Sequence, residues 1–168
     1  MKLEEAICLY LPHKVNIKTS DGKGLLYGVT KEYISILEAG GSIGMWDISE
    51  IKLVLRPMSD ITKEIEHEGE RFVPAIKIAQ LVDNRHNHEI SKIKTYSGSV
   101  KIYDERPGGI TDVVIQFDRG KILSIHSTLY GNTFYSTCER VKTLLLKYHF
   151  DVFGLIEKEQ AVNYNEVI

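Results

Sequence analysis

Residues 15–30, VNIKTSDGKGLLYGVT, decide the fold. Val15, Ile17 and Thr19 alternate with polar residues, which is typical of a half-buried strand. The segment SDGKG at 20–24 then supplies a turn into a second strand at 25–30. Two more strands are predicted at 33–37 and 51–55, and the glycine-rich residues 39–42 break the chain between them. This pattern predicts an N-terminal antiparallel β meander or small barrel.

Helices and a second group of strands are predicted beyond residue 57. Ser59 or Asp60 can cap a helix that ends near Gly69, and Pro74 suits the first turn of another. Strands are predicted from residue 90 to 131, with turns at 97–99, 105–109 and 118–121. Residues 136–139 (STCE) form a capping-box pattern that begins a C-terminal helix, and its apolar repeat ends at Gly154.

These segments predict an α+β fold with central helices, a second antiparallel β unit and a C-terminal helix. The chain is interpreted as a single domain, 1–168, with 1–84 and 85–168 as possible subdomains. Its 168 residues are 43% hydrophobic and 26% charged, with 21 Lys+Arg against 23 Asp+Glu and a net charge of −2. These values exclude a collagen or a disordered tail, and apolar runs of four or five residues exclude a membrane-spanning helix.

The cellular compartment is inferred from the first residues and from cysteine usage. Glu4 and Glu5 stand where a secretory signal carries bases, and the apolar run ends at Pro12. Cys8 and Cys138 lie far apart in sequence and are interpreted as small buried apolar residues in a reducing environment, not as a disulfide. We therefore expect a cytoplasmic protein.

Two strings resemble sequences of a known group. Residues 55–65 (LRPMSDITKEI), followed by GERFVP at 69–74, and residues 147–158 (KYHFDVFGLIEK) are similar to strings in small uncharacterised bacterial proteins encoded by phages and prophages. Tyr10-Leu11-Pro12 near the start also fits, and together the matching strings cover about a quarter of the chain, at both ends. The resemblance implies expression in an infected or lysogenic bacterial host and a shared scaffold, and it implies no reaction.

The residue types in these strings also favour a structural role. Arg56-Pro57 would end a strand, and apolar residues of the tail string would wedge the last helix against the sheet: Phe150, Phe153, Leu155 and Ile156. The alternative is a ligand site formed by Arg56, Asp60 and His149.

A metal site is one hypothesis for the loop at 84–89. His86 and His88 would share one face of a strand, and imidazoles with a neighbouring carboxylate can hold a divalent ion in a metal-dependent hydrolase. Such a site needs three or four ligands, which His126 and Asp83 would supply only if the fold brought them near. A solvated polar loop explains the same residues.

Single-stranded nucleic acid is a second alternative, through residues 92–121. Bases and aromatic residues interleave there, as in proteins that stack bases on a sheet and neutralise phosphates. The candidate residues are Lys92, Lys94, Tyr96, Lys101, Tyr103, Arg119 and Lys121. Residues 85–131 carry 7 bases and 5 acids, so the positive excess is small.

The main hypothesis is a non-catalytic interaction module that binds a host or phage protein or itself. The chain has no G-x-S-x-G elbow and no phosphate-loop spacing, so no catalytic residues and no cofactor are predicted, and an enzyme is not favoured. Sheets with edge strands, together with outward apolar residues near 100–103 and 113–117, favour association with another chain. A homo-oligomer is one form of it.

Overall fold

The computed structural model describes residues 2–82, 92–97, 99–104, 111–118, 121–129, 132–135 and 138–167. It confirms an α+β fold with strands near the N-terminus and a helix in the C-terminal part. The α-helices are α1 (Leu3–Tyr10), α2 (Pro74–Val82) and α3 (Cys138–Lys147). The strands are β1 (Asn16–Lys18), β2 (Lys23–Val29), β3 (Ile34–Glu38), β4 (Ile43–Trp46), β5 (Lys52–Leu55), β6 (Ile65–His67), β7 (Glu70–Phe72), β8 (Lys92–Tyr96), β9 (Ser99–Asp104), β10 (Thr111–Asp118), β11 (Lys121–Leu129), β12 (Asn132–Tyr135) and β13 (Ala161–Asn163).

Contacts divide the chain into two compact units. Unit 1 comprises residues 1–57 and 146–168, and unit 2 comprises residues 58–145. Residues 58–82 therefore group with the second set of strands, and the second boundary falls within α3. None of the helices in the described ranges is both long and apolar enough to cross a lipid bilayer.

Unit 1 is built on a six-stranded sheet in the order β13-β5-β1-β2-β3-β4. Neighbouring strands are antiparallel except β13 and β5, which are parallel. The predicted meander is present, but the sheet is open and does not close into a barrel. β4 was not predicted, because the glycines at 40, 41 and 44 favour a loop.

The inner face of this sheet forms the core of unit 1. Strand residues that alternate in sequence are almost wholly buried there, as the period of two requires: Ile17, Leu26, Ile34, Ile36 and Leu53. Helix α1 adds the buried residues Ala6, Ile7 and Tyr10, whereas Cys8 in the same helix is exposed, so the prediction that it is buried is wrong. The Tyr10 hydroxyl donates a hydrogen bond of 2.5 Å to the Phe150 carbonyl, which ties α1 to the C-terminal segment.

The tail string has a structural role, although the predicted helix through Val152 to Gly154 is wrong. α3 ends at Lys147, and His149 adopts a φ of 61°, which an α-helix cannot continue through. The Arg56 N–H then donates to the His149 carbonyl, and the Asp151 N–H donates to the Arg56 carbonyl. The buried Asp151 carboxylate accepts the backbone N–H groups of residues 155 and 156, at 2.8 and 2.9 Å.

Unit 2 holds the second predicted β unit. β8 to β12 form a five-stranded antiparallel sheet in the order β12-β11-β10-β9-β8, and α2 packs against β9. The predicted helix from Ile61 to Gly69 is wrong: a 3₁₀ turn, Met58–Thr62, is followed by the β6–β7 hairpin. Glu68 and Gly69 have φ values of 52° and 82°, and positive φ at both central residues is what a type I′ turn requires.

Candidate functional site

The outer face of β2, β3 and β4 presents apolar side chains to solvent. Leu25 pairs with Leu37, and Leu37 pairs with Ile43, so these three side chains form one row across the strands. Ile34 and Ile36 point the opposite way, into the core. Leu25 and Leu37 are half-buried in this row, and Ile43 at its end is exposed.

A β-bulge adds an aromatic ring to the same face. The register of β2 on β3 shifts between Leu26 and Gly28, so that Tyr27 and Gly28 together oppose Ser35. Tyr27 is 60% exposed, and Met45, which also opposes Ser35, is 72% exposed. Ile43 at the end of the apolar row is 53% exposed. We name the outer side chains of Leu25, Tyr27, Leu37, Ile43 and Met45, together with the open edge of β4, the β4 surface.

The edge of β4 offers hydrogen-bonding groups beside these side chains. The Glu38 N–H donates to the Ser42 carbonyl at 2.9 Å, which fixes the phase of the β3–β4 ladder. Since antiparallel residues alternate between inward and outward bonding, Gly44 and Trp46 bond to β3, and Ile43 and Met45 direct their N–H and C=O groups outward. The two most exposed residues of β4 therefore also carry its unpaired backbone edge.

The edge strands β13 and β8 are less suited than β4 to pairing with another chain. β13 has only three residues, and the following turn is capped by the Asn163 side chain. β8 carries the exposed Lys94, and lysine on an edge strand discourages pairing with another chain. The residues of β4 are Ile-Gly-Met-Trp, without a charge or a proline. The carboxylate of Asp47, the next residue, accepts hydrogen bonds from Ser49, whose backbone N–H above all lowers the pKa of Asp47.

A cavity of about 450 Å³ lies at the hairpin end of the inner face of unit 1. Its lining includes Lys23, Glu38 and Trp46. Gly24 and Gly44 lie next to lining residues of this cavity, where a side chain would not fit. A Cβ on Gly44 would lie 2.5 Å from Glu38 Oε1 and 2.9 Å from Trp46 Nε1. Lys23 Nζ already donates to the Val167 carbonyl, and Glu38 accepts a hydrogen bond of 2.8 Å from Ser42. The charged groups of this cavity thus have partners within the chain.

Four of the predicted nucleic-acid residues meet on the outer face of the unit 2 sheet. Lys94 pairs with Lys101 across β8 and β9. The ammonium of Lys94 lies 5.5 Å from the ring centre of Tyr103, and that of Lys101 lies 6.0 Å from the ring centre of Tyr96. The two tyrosine hydroxyls are 3.3 Å apart. The opposite face of the sheet is core, with residues such as Ile102 and Ile115 fully buried.

The hydroxyl contact changes the acidity of one tyrosine. The hydrogen bond with Tyr96, followed by burial and by the charges of Tyr96 and Asp112, raises the pKa of Tyr103 to about 12. The Tyr103 ring therefore stays neutral at physiological pH, which suits it for stacking against an anionic strand. Of the other predicted residues, Lys92 lies in β8 and Lys121 in β11, whereas Arg119 lies outside the described residues.

The metal hypothesis falls mostly on residues that the structure does not describe. His86, His88 and Asp83 lie outside the described ranges, and His126 lies in β11. Within those ranges, no three His, Cys, Asp or Glu side chains are grouped as metal ligands. His149 and Arg56 of the alternative ligand site have intramolecular contacts: the His149 ring lies 2.8 Å from the His13 carbonyl, and the guanidinium lies 3.9 Å above the Tyr164 ring.

Sequence reasoning missed the β4 surface, because it interpreted residues 39–44 as a loop. The signal was present: the segment Gly40-Gly41-Ser42 separates the strand that ends near Leu37 from Ile43 and Met45, and two apolar segments joined by a short glycine-containing loop are a hairpin pattern. Comparisons with protein-family models, curated proteins and solved structures found no match for this chain.

Proposed function

We propose that this protein is a non-catalytic association module that binds a protein partner through the β4 surface. One observation carries the proposal: the exposed apolar side chains of β4 and the outward backbone groups of β4 belong to the same residues, Ile43 and Met45. An extended partner segment could add to this edge by main-chain hydrogen bonds, and the neighbouring side chains would supply selectivity.

The residue types of the β4 surface are common at the centres of protein–protein interfaces. Aromatic residues and methionine are enriched where interfaces are fully buried, and charged residues are depleted there. Tyr27 and Met45 are the most exposed of the large apolar residues in the described part of the chain. The phage context implied by the sequence resemblance favours a host protein, a phage protein or a second copy of the chain as the partner.

Photo-crosslinking from the surface tests the proposal. A Met45→Cys variant, in a Cys8→Ser, Cys138→Ser background, carries benzophenone maleimide, and is irradiated in bacterial lysate. Adducts are identified by mass spectrometry. Lys18→Cys is the matched control, because Lys18 is exposed in the same sheet but lies in the internal strand β1. We expect a discrete protein adduct from position 45 and none from position 18. Equal or absent adducts at the two positions would contradict the proposal.

Single-stranded nucleic acid is the second candidate function, favoured by the convergence of Lys94, Tyr96, Lys101 and Tyr103 on one solvent face. A sheet face with aromatic rings and flanking cations can stack bases and contact phosphates. Asp112, which lies beside Tyr103 on β10, opposes this by its negative charge.

Fluorescence anisotropy across a salt series tests the second candidate with a labelled deoxythymidine oligonucleotide. Each lost phosphate contact should reduce the slope of log affinity against log salt by about 0.7 for a single strand, so Lys94→Glu with Lys101→Glu should reduce it by about 1.4. Lys18→Glu in unit 1 is the control for charge alone, and it should change the slope of log affinity against log salt by less. Binding that is absent, or that does not depend on salt, removes this candidate.

A further inference from the structure

We infer that the partner of the β4 surface is a second copy of this chain, with the two β4 strands paired antiparallel about a two-fold axis at Gly44. The inference rests on the proposed function and names its partner. Its basis is the placement of the outward-bonding residues, Ile43 and Met45, one on each side of Gly44. A two-fold interface requires each residue i to contact j while j contacts i.

The symmetric register satisfies every outward backbone group of β4. Ile43 of each copy faces Met45 of the other in a hydrogen-bonded pair, and each such pair exchanges two N–H···O=C bonds. Four hydrogen bonds result. Gly44 faces Gly44 of the second copy in the closely spaced, non-bonded pair, with Cα atoms about 4.5 Å apart.

The side chains and charges also fit this register. The apolar row Leu25–Leu37–Ile43 would continue into Met45 of the second copy, and Tyr27 of that copy follows beyond Ser35, so the two outer faces join into one surface. Asp47 of each copy falls opposite Gly41 of the other, at the far end of the paired strands, which keeps the two carboxylates apart. A two-residue shift that pairs Met45 with Met45 would place the Asp47 charge opposite Ile43, and the opposite shift would leave Met45 facing Gly41 without an apolar side chain to contact.

Two single-residue variants separate backbone pairing from side-chain contact. Met45→Pro removes the outward N–H of an edge residue without touching the β3–β4 ladder, since only Gly44 and Trp46 bond to β3. Met45→Val keeps that N–H and an apolar side chain. Sedimentation equilibrium should show a dimer for the wild type and for Met45→Val. For Met45→Pro we expect the dimer dissociation constant to rise about 30-fold, from the loss of two N–H donors.

A disulfide experiment tests the register itself and does not depend on the proline variant folding. Ile43→Cys and Met45→Cys chains, each in a Cys8→Ser, Cys138→Ser background, are mixed under mild oxidation. Hydrogen-bonded pairs have Cα atoms about 5.5 Å apart, within the range that a disulfide spans. Disulfide dimers should form in the mixture and not from either variant alone. The fluorescence of Trp46 in β4, the single tryptophan of the chain, verifies folding of each variant.

The outcomes distinguish this inference from the proposed function. A wild type that stays monomeric at several hundred micromolar overturns self-pairing, as does a dimer that Met45→Pro leaves unchanged while still folded, or cross-linking that is no greater in the mixture. If position 45 nevertheless forms adducts with another protein, the association function stands and only the partner is wrong. If position 45 forms no adducts at all, the association function and the self-pairing are both wrong.

Discussion

Replacing Gly24 by alanine tests the register that forms the β4 surface. Gly24 pairs with Glu38, and this pairing places Leu25 opposite Leu37 on the outer face. A Cβ on Gly24 would lie 2.4 Å from Ile36 Cγ2 and 2.7 Å from the Leu37 carbonyl oxygen. Ordinary contacts lie at about 3.5–4.0 Å, so β2 and β3 would have to move apart.

The magnitude follows from this clash. Overpacking a well-packed site costs about 1–3 kcal/mol, and Ile36 is only 1% exposed, so it has little room to yield. The lower backbone entropy of alanine in the unfolded chain returns about 0.5–1 kcal/mol. We therefore expect Gly24→Ala to lower the free energy of unfolding of unit 1 by about 1 kcal/mol.

Gly28→Ala is the matched control in the same strand. Its Cβ would meet Ser35 Cβ at 3.5 Å and Ser35 Oγ at 3.6 Å, which are ordinary contacts. This variant should be neutral or about 0.5 kcal/mol more stable than the wild type. Urea unfolding followed by Trp46 fluorescence reports on unit 1 and should separate the two midpoints by about 1 M. Equal midpoints for the two variants would refute the register of β2 on β3 from which the β4 surface is derived.

Three further predictions concern named hydrogen bonds. Asp151→Ala removes the acceptor of two backbone N–H groups and should lower the free energy of unfolding by about 3 kcal/mol in the same urea assay. Tyr10→Phe loses one buried hydrogen bond and should cost about 1 kcal/mol; no change would mean that α1 is not tied to Phe150 as described. Tyr96→Phe should move the pKa of Tyr103 from about 12 toward 10 in an absorbance titration at 295 nm. Because that pKa is raised in the folded state, its contribution to stability is complete below pH 10 and is lost as the pH rises through 12. A Tyr103 pKa that stays at about 12 in Tyr96→Phe would contradict the hydroxyl contact.

The strands with clear alternation could be predicted from the sequence. β1, β2, β3 and β5 were predicted within a few residues, because each has β-branched or aromatic residues at alternate positions and a turn signal beside it. The strands β8 to β11 were predicted from the same alternation and turn signals. Helix α2 was predicted from Pro74, which suits the first turn of a helix. The two lysines and two tyrosines of the unit 2 face were proposed because bases and aromatic residues interleave in the sequence. Strand alternation then places these four side chains on one face of the sheet.

The missed elements depend on tertiary contacts or on competing local signals. β4 is short and contains Gly44, so its pairing with β3 outweighs its own weak strand preference. The helix predicted after Asp60 has an apolar pattern that a hairpin also satisfies, and the positive φ at Glu68 and Gly69 decides between them. α1 had a helical signal in Leu3, Ala6, Ile7 and Tyr10, at helical spacing, which the analysis of strands passed over.

Amide hydrogen exchange along β4, followed by NMR at increasing protein concentration, tests the central claim most directly. Gly44 and Trp46 bond to β3, so their N–H groups should be protected at every concentration. The Ile43 and Met45 N–H groups point outward, and they should exchange fast in dilute solution and become protected as the concentration rises. Protection of Ile43 and Met45 that is already complete in dilute monomer, or that never appears, would contradict an open edge that pairs with a second copy.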